Sequence, residues 1–237
     1  STGTADVPPA VTVPVATLNA PVSWSAGYTG DKIGIAVIDS GINDHEDIKV
    51  NGKSRVVYSE SFLVDDKDKP VKETKDKYGH GTHVAGIIAG NGAKSSDNKS
   101  KVSYDGIAPD AQLINLRVLD EEGNGRDSDV VAAIGRAIEL KSTYNIRVIN
   151  LSLGRGITGS YKDDVLCQAV EAAWKAGIVV VTAGGNYGRD NSMKTDGYGT
   201  ITTPGNDPYV ITVGAMKDMG TAGRGDDLIA SYSSKGP

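Results

Sequence analysis

The sequence predicts an α/β fold in which a doubly wound, mostly parallel sheet is covered by helices on both faces. Short apolar runs bounded by Gly or Asp, such as KIGIAVID and IVVVTAGGN, are typical of strands buried on both faces. Helical patterns alternate with these runs, and such alternation indicates parallel strands joined by crossover helices. A length of 237 residues with 38% hydrophobic residues favours one large domain.

The elements follow in order along the chain. Three prolines and no hydrophobic period predict an extended arm over residues 1–15, and residues 16–237 form the domain itself. Predicted strands cover residues 32–39, 54–62, 111–119, 146–154, 178–186 and 209–216. Predicted helices cover residues 80–90, 127–144 and 161–177, with Asp127 as the N-cap of the second. Polar loops are predicted over 63–77 and 91–106.

Composition excludes several classes of partner. The net charge of -5, from 25 basic and 30 acidic residues, argues against nucleic acid or an anionic membrane as the main partner. No apolar stretch reaches the roughly 18 residues that a membrane span needs. The single cysteine, Cys167, lies in a helical pattern and is predicted to be a small core residue.

Polar residues follow the predicted strands at the edge where parallel sheets bind ligands, outside the carboxyl ends of the strands. Asp39 ends the first strand, Ser152 ends VINLSLG and Asn186 ends VVVTAGGN. His80 begins a helix and therefore faces the same side. The topology predicts a carboxylate, an imidazole and an amide at one rim, which suits an oriented base and a donor for developing negative charge.

The segment KYGHGTHVAG contains two of the three histidines, so a zinc site is the competing interpretation. Zinc-binding helices use H-E-x-x-H, with ligands four residues apart. Here His80 and His83 are three apart, no Glu lies between them, and no third strong ligand follows, which disfavours zinc. His83 is expected to make a buried structural hydrogen bond, and His45 is expected to be solvated.

These motifs resemble those of the subtilisin-type serine proteases from about Trp24 to Pro237. AVIDSGI resembles the family's Asp motif, GHGTHVAG its His motif, LSLG its substrate-binding strand and AGGN its oxyanion motif, although Gly184 stands where a larger small residue is more usual. The resemblance implies that His80 is the general base, Asp39 its orienting partner and Asn186 the oxyanion donor. Gly79 and Gly81 are expected to let substrate approach His80 closely.

The same resemblance implies a binding surface for an extended peptide. Ser152, Leu153 and Gly154 form one edge that pairs with substrate, and the segment from Gly123 to Gly125 lies on the other side. The first specificity pocket is expected to be lined by Ala183, Gly184 and Gly185. Acidic residues in DEEGNGRD suggest a bias toward basic substrate residues a few positions before the cut.

One part of the family pattern is missing from the sequence, since no G-T-S-M-A-like segment with the nucleophilic serine is present. The predicted function is therefore serine endopeptidase, with the serine on a missing or separate C-terminal segment, and this chain alone is expected to be inactive. The expected partners are a protein or peptide substrate, that C-terminal fragment and a propeptide. The alternative function is a non-catalytic peptide-binding domain. A nucleotide-binding domain is disfavoured, because no G-x-G-x-x-G motif follows the first predicted strand.

Calcium is the cofactor that the resemblance implies, and no organic cofactor is expected. Asp47 matches a family ligand position, but the partner loop over 91–106 departs from the family pattern, which weakens this site. The acidic loop at 65–68 offers oxygen ligands of the kind calcium prefers, although a solvated loop is the simpler interpretation. A secreted or extracytoplasmic location is expected, with an intracellular one left open.

Overall fold

The computed structural model of the chain describes residues 10–95, 102–192 and 194–236. Its strands, in chain order, are β1 (Ala10–Val11), β2 (Gly34–Asp39), β3 (Lys49–Val50), β4 (Lys53–Ser54), β5 (Val56–Ser61), β6 (Val102–Ser103), β7 (Gln112–Arg117), β8 (Ile146–Leu151), β9 (Val179–Ala183), β10 (Ile211–Val213), β11 (Met216–Lys217) and β12 (Leu228–Ile229). Its helices are α1 (Val13–Thr17), α2 (Ala20–Ser25), α3 (His80–Ala89), α4 (Asp127–Glu139), α5 (Lys141–Tyr144) and α6 (Val165–Lys175), with a 3₁₀ turn at Glu46–Ile48.

A parallel sheet with the strand order β10-β9-β8-β2-β7-β5 organises the described residues. From β2 the chain runs to the edge strand β5, returns to β7 beside β2, and then crosses to β8, β9 and β10 on the other side. The direction of winding thus reverses between β2 and β8, where ligands bind in doubly wound sheets. This topology confirms the predicted fold class.

Alternating side chains of β2 bury into two cores, one on each face of the sheet. Ile35 and Val37 pack in the cluster that includes Ala85 and Ala89 of α3. Ala36 and Ile38 pack in the larger cluster, to which α4 and α6 contribute on the opposite face. Every residue of β2 is buried, as expected for a central strand of a parallel sheet.

The helix starts follow local chemistry. Asp164 caps α6, because its carboxylate accepts hydrogen bonds from the backbone N–H groups of Leu166 and Cys167 at 2.9 and 3.3 Å. The prediction of Asp127 as an N-cap is wrong: α4 begins at Asp127 itself, and Arg126 occupies the cap position without a side-chain cap. Before α3, Gly79 adopts φ +99°, a left-handed conformation that favours glycine.

Most predicted elements are present, with shorter bounds. The helix predicted over 127–144 divides at Leu140 into α4 and α5. The prediction of an extended arm is wrong at its end, because Val13 and Pro14 belong to α1; the first nine residues of the predicted arm lie outside the described residues.

Cys167 is fully buried, as predicted. No helix in the described parts of the chain is long and apolar enough to cross a membrane.

The β10 side of the sheet is apolar and exposed. Within the described residues β10 pairs with β9 alone. Ile211 and Val213 of β10 are 55% and 50% exposed, and Ile229 of the adjoining β11–β12 hairpin is 70% exposed. A sheet edge of this composition can accept a further strand.

Candidate active site

Asp39 and His80 form a hydrogen-bonded pair at the reversal point of the sheet. Asp39 ends β2 and is 1% exposed, while His80 begins α3. His80 Nδ1 lies 2.8 Å from Asp39 Oδ1 and 2.9 Å from Asp39 Oδ2. The backbone N–H of Ser40 donates to Oδ1 at 2.7 Å, which further fixes the carboxylate. The His80 side chain is 39% exposed, so part of its ring faces the solvent side.

Asp76 holds the first turn of α3 in place. Its Oδ1 accepts hydrogen bonds from Gly79 N at 2.6 Å and from Ser40 Oγ at 2.8 Å, and its Oδ2 accepts from Thr82 N at 2.8 Å. Ser40 Oγ in turn accepts from Gly81 N at 2.9 Å. Burial acts to raise the pKa of Asp76, but the hydrogen bonds from Thr82, Gly79 and Ser40 outweigh it and hold this pKa below its ordinary value.

Sequence reasoning did not identify Asp76. The signal for it was available, since an acid a few residues before a glycine and a helix start is typical of an N-terminal capping residue.

Gly81 allows α3 to sit directly on the turn after β2. A Cβ at Gly81 would lie 2.3 Å from Gly41 O and 3.2 Å from Asp39 Cβ. Gly41 itself has φ +112°, and a Cβ there would lie 2.6 Å from Thr74 O. The prediction that Gly81 serves substrate access is therefore wrong: the missing side chain permits packing between the two elements that carry Asp39 and His80.

An open cleft of about 440 Å³ adjoins the exposed side of His80. It brings together most of the predicted site residues, which come from four separate segments of the chain. Those lining it are His80, Gly123, Gly125, Ser152, Leu153, Gly154 and Asn186. Asn186 is exposed, and its side chain makes no hydrogen bond within the described residues.

Ala183, Gly184 and Gly185 are not among the residues that line this cleft. Ala183 ends β9, and Gly184 hydrogen-bonds through its N–H to Val213 O at 2.8 Å. Gly185 lies against Thr202 and Ser234, whose side-chain atoms would be 2.8 and 2.7 Å from a Cβ at that position. The lining of a first specificity pocket by these three residues stays a prediction, and the cleft beside His80 does not include them.

Tyr78 forms a wall of the cleft that sequence reasoning missed. Its ring centroid lies 6.3 Å from that of His80, and a Cβ at Gly123 would lie 2.7 Å from Tyr78 Cζ. Lys77, the preceding residue, forms an ion pair with Glu121. The loop before His80 and the loop that contains Gly123 are thus joined across the cleft.

Arg155, also missed, links the cleft to the starts of two helices. Its Nε lies 2.8 Å from Asp127 Oδ2, and its Nη2 lies 2.9 Å from Asp164 Oδ2. Burial acts to lower the pKa of Arg155, but the charges and hydrogen bonds of the two carboxylates raise it above its ordinary value. The side chain of Asp164 is 7% exposed and also caps α6, so this ion pair connects the cleft wall to the start of that helix.

His83 was predicted to make a buried structural hydrogen bond, and this prediction is wrong. His83 is exposed, and its ring makes no hydrogen bond within the described residues. His45 is exposed, as expected, and its Nδ1 accepts a hydrogen bond from Asp47 N at 3.2 Å. His83 and His45 both lie on the α3 side of the molecule, away from the cleft lining.

The described residues give little support to a calcium site at Asp47. Its Oδ1 accepts a hydrogen bond from Lys94 N at 2.8 Å, and its Oδ2 lies 3.6 Å from His45 Nδ1. The described residues contain no cluster of three or more His, Cys, Asp or Glu side chains that could hold a metal. In the acidic loop, Asp65 Oδ1 accepts backbone hydrogen bonds from Lys67 and Lys69, as in a solvated turn.

The fold and this site define a doubly wound α/β protein that carries a hydrogen-bonded carboxylate–imidazole pair at the carboxyl edge of its sheet. Comparison with known proteins gives the family. The sequence model of the Subtilase family matches residues 30–237, and the chain belongs to that family.

Two curated relatives and one solved structure show the extent of the similarity. The serine protease AprX of Bacillus subtilis (strain 168) is 39% identical over 215 residues, which cover 88% of this chain and 44% of AprX. Subtilisin E of the same organism is 37% identical over 223 residues, which cover 94% of this chain and 49% of subtilisin E. The structure of sphericase matches with a TM-score of 0.66 and 32% identity, over 87% of this chain and 60% of sphericase. The chain thus spans about half the length of these curated relatives.

Proposed function

We propose that this chain supplies the acid, the base and the oxyanion donor of a serine endopeptidase. The observation that carries the proposal is the bond of both Asp39 oxygens to His80 Nδ1, at 2.8 and 2.9 Å. A carboxylate only accepts hydrogen bonds, so Nδ1 carries the proton and Nε2 is left as the acceptor. A neutral imidazole with a free Nε2 on a cleft is suited to take a proton from a hydroxyl nucleophile.

The buried Asp39 also supports the protonated state of the base. When His80 takes up a proton, it becomes an imidazolium beside a carboxylate that is 1% exposed. Ser40 N keeps Asp39 oriented, and Asp76 keeps the first turn of α3 in register with it. The base therefore needs little reorganisation during proton transfer, which is the role of the acid in a Ser-His-Asp site.

The nucleophilic serine is proposed to lie on a further C-terminal segment of the complete protein, as a continuous chain or as a separate fragment. No serine or threonine hydroxyl of the described residues hydrogen-bonds to His80. The exposed apolar edge formed by Ile211, Val213 and Ile229 offers a surface on which such a segment would dock. Both arrangements place the serine opposite His80 Nε2, and they differ only in covalent connection.

Substrate is proposed to bind as an extended peptide. Ser152 to Gly154 would pair with its main chain on one side of the cleft, and the segment from Gly123 to Gly125 on the other. Asn186 would then donate its amide to the oxygen of the scissile carbonyl as negative charge develops. The cleft joins these segments to His80, which supports this arrangement.

A propeptide and a secreted or extracytoplasmic location also belong to the proposal, because the family resemblance implies them. Fractionation of cells that produce the complete protein, with detection by an antibody to this chain, would decide the location. Recovery only in the cytosol would contradict it.

A serine-directed probe tests the function. The complete protein is treated with a fluorophosphonate, its chains are separated under denaturing conditions, and the adduct is located by mass. We expect one adduct, on a serine beyond Pro237, together with cleavage of peptide substrates. An adduct on a serine within residues 1–237 would contradict the proposal, and binding of peptides without labelling or cleavage would favour the non-catalytic alternative.

Two histidine variants provide the matched comparison. His80→Ala is expected to lower kcat by several orders of magnitude with little change in the melting temperature. His83→Ala is the control, because His83 is exposed and its ring has no hydrogen bond within the described part of the chain, so turnover should be preserved. Normal turnover in His80→Ala would refute the assignment of the base.

A further inference from the structure

We propose that Arg117 is a positioning residue that couples the binding of an extended substrate to the placement of the base. The inference rests on the proposed peptidase function. Arg117 ends β7 and is 2% exposed. It is not among the residues that line the cleft, and it has no role in the site as described so far.

Arg117 lies beside Asp39 in the sheet and on the same face. The two residues are partners in the parallel pairing of β7 with β2. Side chains at alternate positions of a strand face the same side, and Ile35 and Leu113, four positions earlier on these two strands, both pack in the cluster that includes residues of α3. The Arg117 side chain is therefore directed to the α3 side of the sheet, where Asp39 meets His80.

The guanidinium of this arginine joins two segments that are separate along the chain. Its Nη1 donates to Glu73 O at 3.0 Å, and its Nε donates to Leu119 O at 3.2 Å. Glu73 lies a few residues before Asp76, which caps the helix that begins with His80. Leu119 lines the cleft and lies a few residues before Gly123. One planar group thus holds the base side and the substrate side of the cleft at a fixed separation.

The substrate side of the cleft can transmit a displacement to this guanidinium. It is a closed loop, because Asp120 N donates to Asn124 O at 2.8 Å and Asn124 N donates to Asp120 Oδ1 at 2.9 Å. The loop is anchored at its start, where Leu119 N donates to Asp39 O at 3.3 Å. Pairing of a peptide with the segment from Gly123 to Gly125 therefore acts on Leu119, and through its carbonyl on the guanidinium.

The base side is fixed by a second buried donor. Asn115 is 1% exposed, and its Nδ2 donates to Thr74 O at 3.0 Å. Together with Arg117 it holds two successive carbonyls of the segment that leads to Asp76. A movement of the guanidinium is therefore carried to the first turn of α3, because the segment between them is not a free loop.

The guanidinium of Arg117 forms no ion pair within the described residues, and burial of a cation without a carboxylate costs stability. An apolar side chain would fill the same place without that cost. What the guanidinium provides is geometry, since it presents several N–H groups in one rigid plane, whereas a lysine ammonium is a point charge on a flexible stem. Lysine can therefore keep the charge at position 117 but not the fixed link between Glu73 and Leu119.

The test measures kcat of the complete protein on two substrates. One is a long peptide that extends along the segment from Gly123 to Gly125, and the other is a minimal substrate with a single residue before the cleaved bond. In the unmodified protein kcat should be higher for the long peptide, because its remote binding energy improves the placement of the base. In Arg117→Lys the ratio of kcat for the long peptide to that for the minimal substrate should fall about tenfold, since misplacement by about 1 Å can cost roughly 10²-fold in rate.

The kcat of Arg117→Lys on the minimal substrate should be nearly unchanged, because Asp39 and Asp76 still hold His80 in place. Arg147→Lys is the matched control, since Arg147 is exposed and its side chain makes no hydrogen bond or ion pair within the part of the chain that the structure describes. Its ratio should equal that of the unmodified protein.

Arg117→Met keeps the apolar stem and removes every donor, so it should lower the ratio at least as far as Arg117→Lys. If Arg117→Met does not fold, Arg117→Lys decides alone, because it keeps both the charge and the length of the side chain.

Equal ratios in Arg117→Lys and the unmodified protein would overturn the inference and leave the peptidase function intact. An equal loss of kcat on both substrates would do the same, because a merely structural role gives that result. An unmodified protein whose kcat does not depend on the length of the substrate would also overturn the inference. Failure of the unmodified protein to cleave either substrate would instead refute the proposed function, and the inference with it.

Discussion

Substitution of Asp76 should destabilise the protein through the helix that carries His80. In Asp76→Ala, the N–H groups of Gly79 and Thr82 lose the acceptor that caps the first turn of α3, which costs about 1–2 kcal/mol. The buried Ser40 hydroxyl loses its acceptor as well, which costs about 1–3 kcal/mol. We expect the free energy of unfolding to fall by about 2–5 kcal/mol in total.

Asp76→Asn is a smaller change than Asp76→Ala, because the amide keeps one of the two oxygen atoms that accept hydrogen bonds. The side-chain amide cannot accept from Thr82 N at the position of the second oxygen, so we expect a loss of about 1–3 kcal/mol at neutral pH.

The pH dependence identifies the charge as the source of this stability. Its hydrogen bonds hold the folded-state pKa of Asp76 below the ordinary value, so the carboxylate stabilises the fold fully above the unfolded pKa. That contribution disappears as the pH falls through the folded pKa. The stability difference between the unmodified protein and Asp76→Asn should therefore be constant above a pH of about 5 and shrink steadily below about 4.

The assay is urea unfolding of the complete protein, followed by circular dichroism at a series of pH values from neutral to acidic. Asp31→Asn is the control, since Asp31 is exposed and its ion pair with Lys32 spans 3.7 Å; it should match the unmodified protein throughout. Asp76→Asn with unmodified stability at neutral pH, or a difference that stays constant in acid, would refute the reasoning.

Three further predictions concern the cleft and the core. Asn186→Ala should lower kcat about 10²–10³-fold with KM nearly unchanged, the range known for loss of one oxyanion donor in a subtilisin-type enzyme, whereas an effect on KM alone would make Asn186 a ground-state binding residue. Burial raises the pKa of Cys167 to about 11, so iodoacetamide at mildly alkaline pH should label it only after unfolding, and labelling of the folded protein would contradict its burial. Arg155→Met should lower the free energy of unfolding by about 1–3 kcal/mol, since it leaves the buried Asp164 carboxylate without its cation, and a denaturant melt equal to that of the unmodified protein would contradict this.

The sequence was sufficient to predict the strand–helix alternation and the pairing of Asp39 with His80. Both residues are adjacent to elements whose patterns are local, and parallel topology brings the carboxyl ends of the strands to one edge. His83 could also have been predicted correctly. The buried residues of α3 are Gly81, Ala85 and Ala89, which recur every four positions, and His83 falls outside that stripe.

Other features depend on contacts that no local pattern contains. Thr202 reaches Gly154 and Gly185 from 48 and 17 residues away, by subtraction of their sequence numbers. Nothing in the sequence near AGGN indicates that a threonine fills the space beside it. The link from Arg155 to Asp127 likewise joins two segments that are distant along the chain, and no local pattern indicates that the Asp127 carboxylate has this partner.

The close approach at Gly81 makes the separation of Asp39 and His80 a fixed dimension of the fold. Only 2.3 Å separates Gly41 O from the place of a Cβ on Gly81, so even one methyl group there would force α3 back by about 1 Å. The bond between Asp39 and His80 spans 2.8 Å and could not survive such a shift unchanged. Misplacement on that scale can cost about 10²-fold in rate. Even alanine is therefore too large at position 81. The distance between Asp39 and His80 is fixed because the backbone at the start of α3 packs directly on the backbone of the turn after β2.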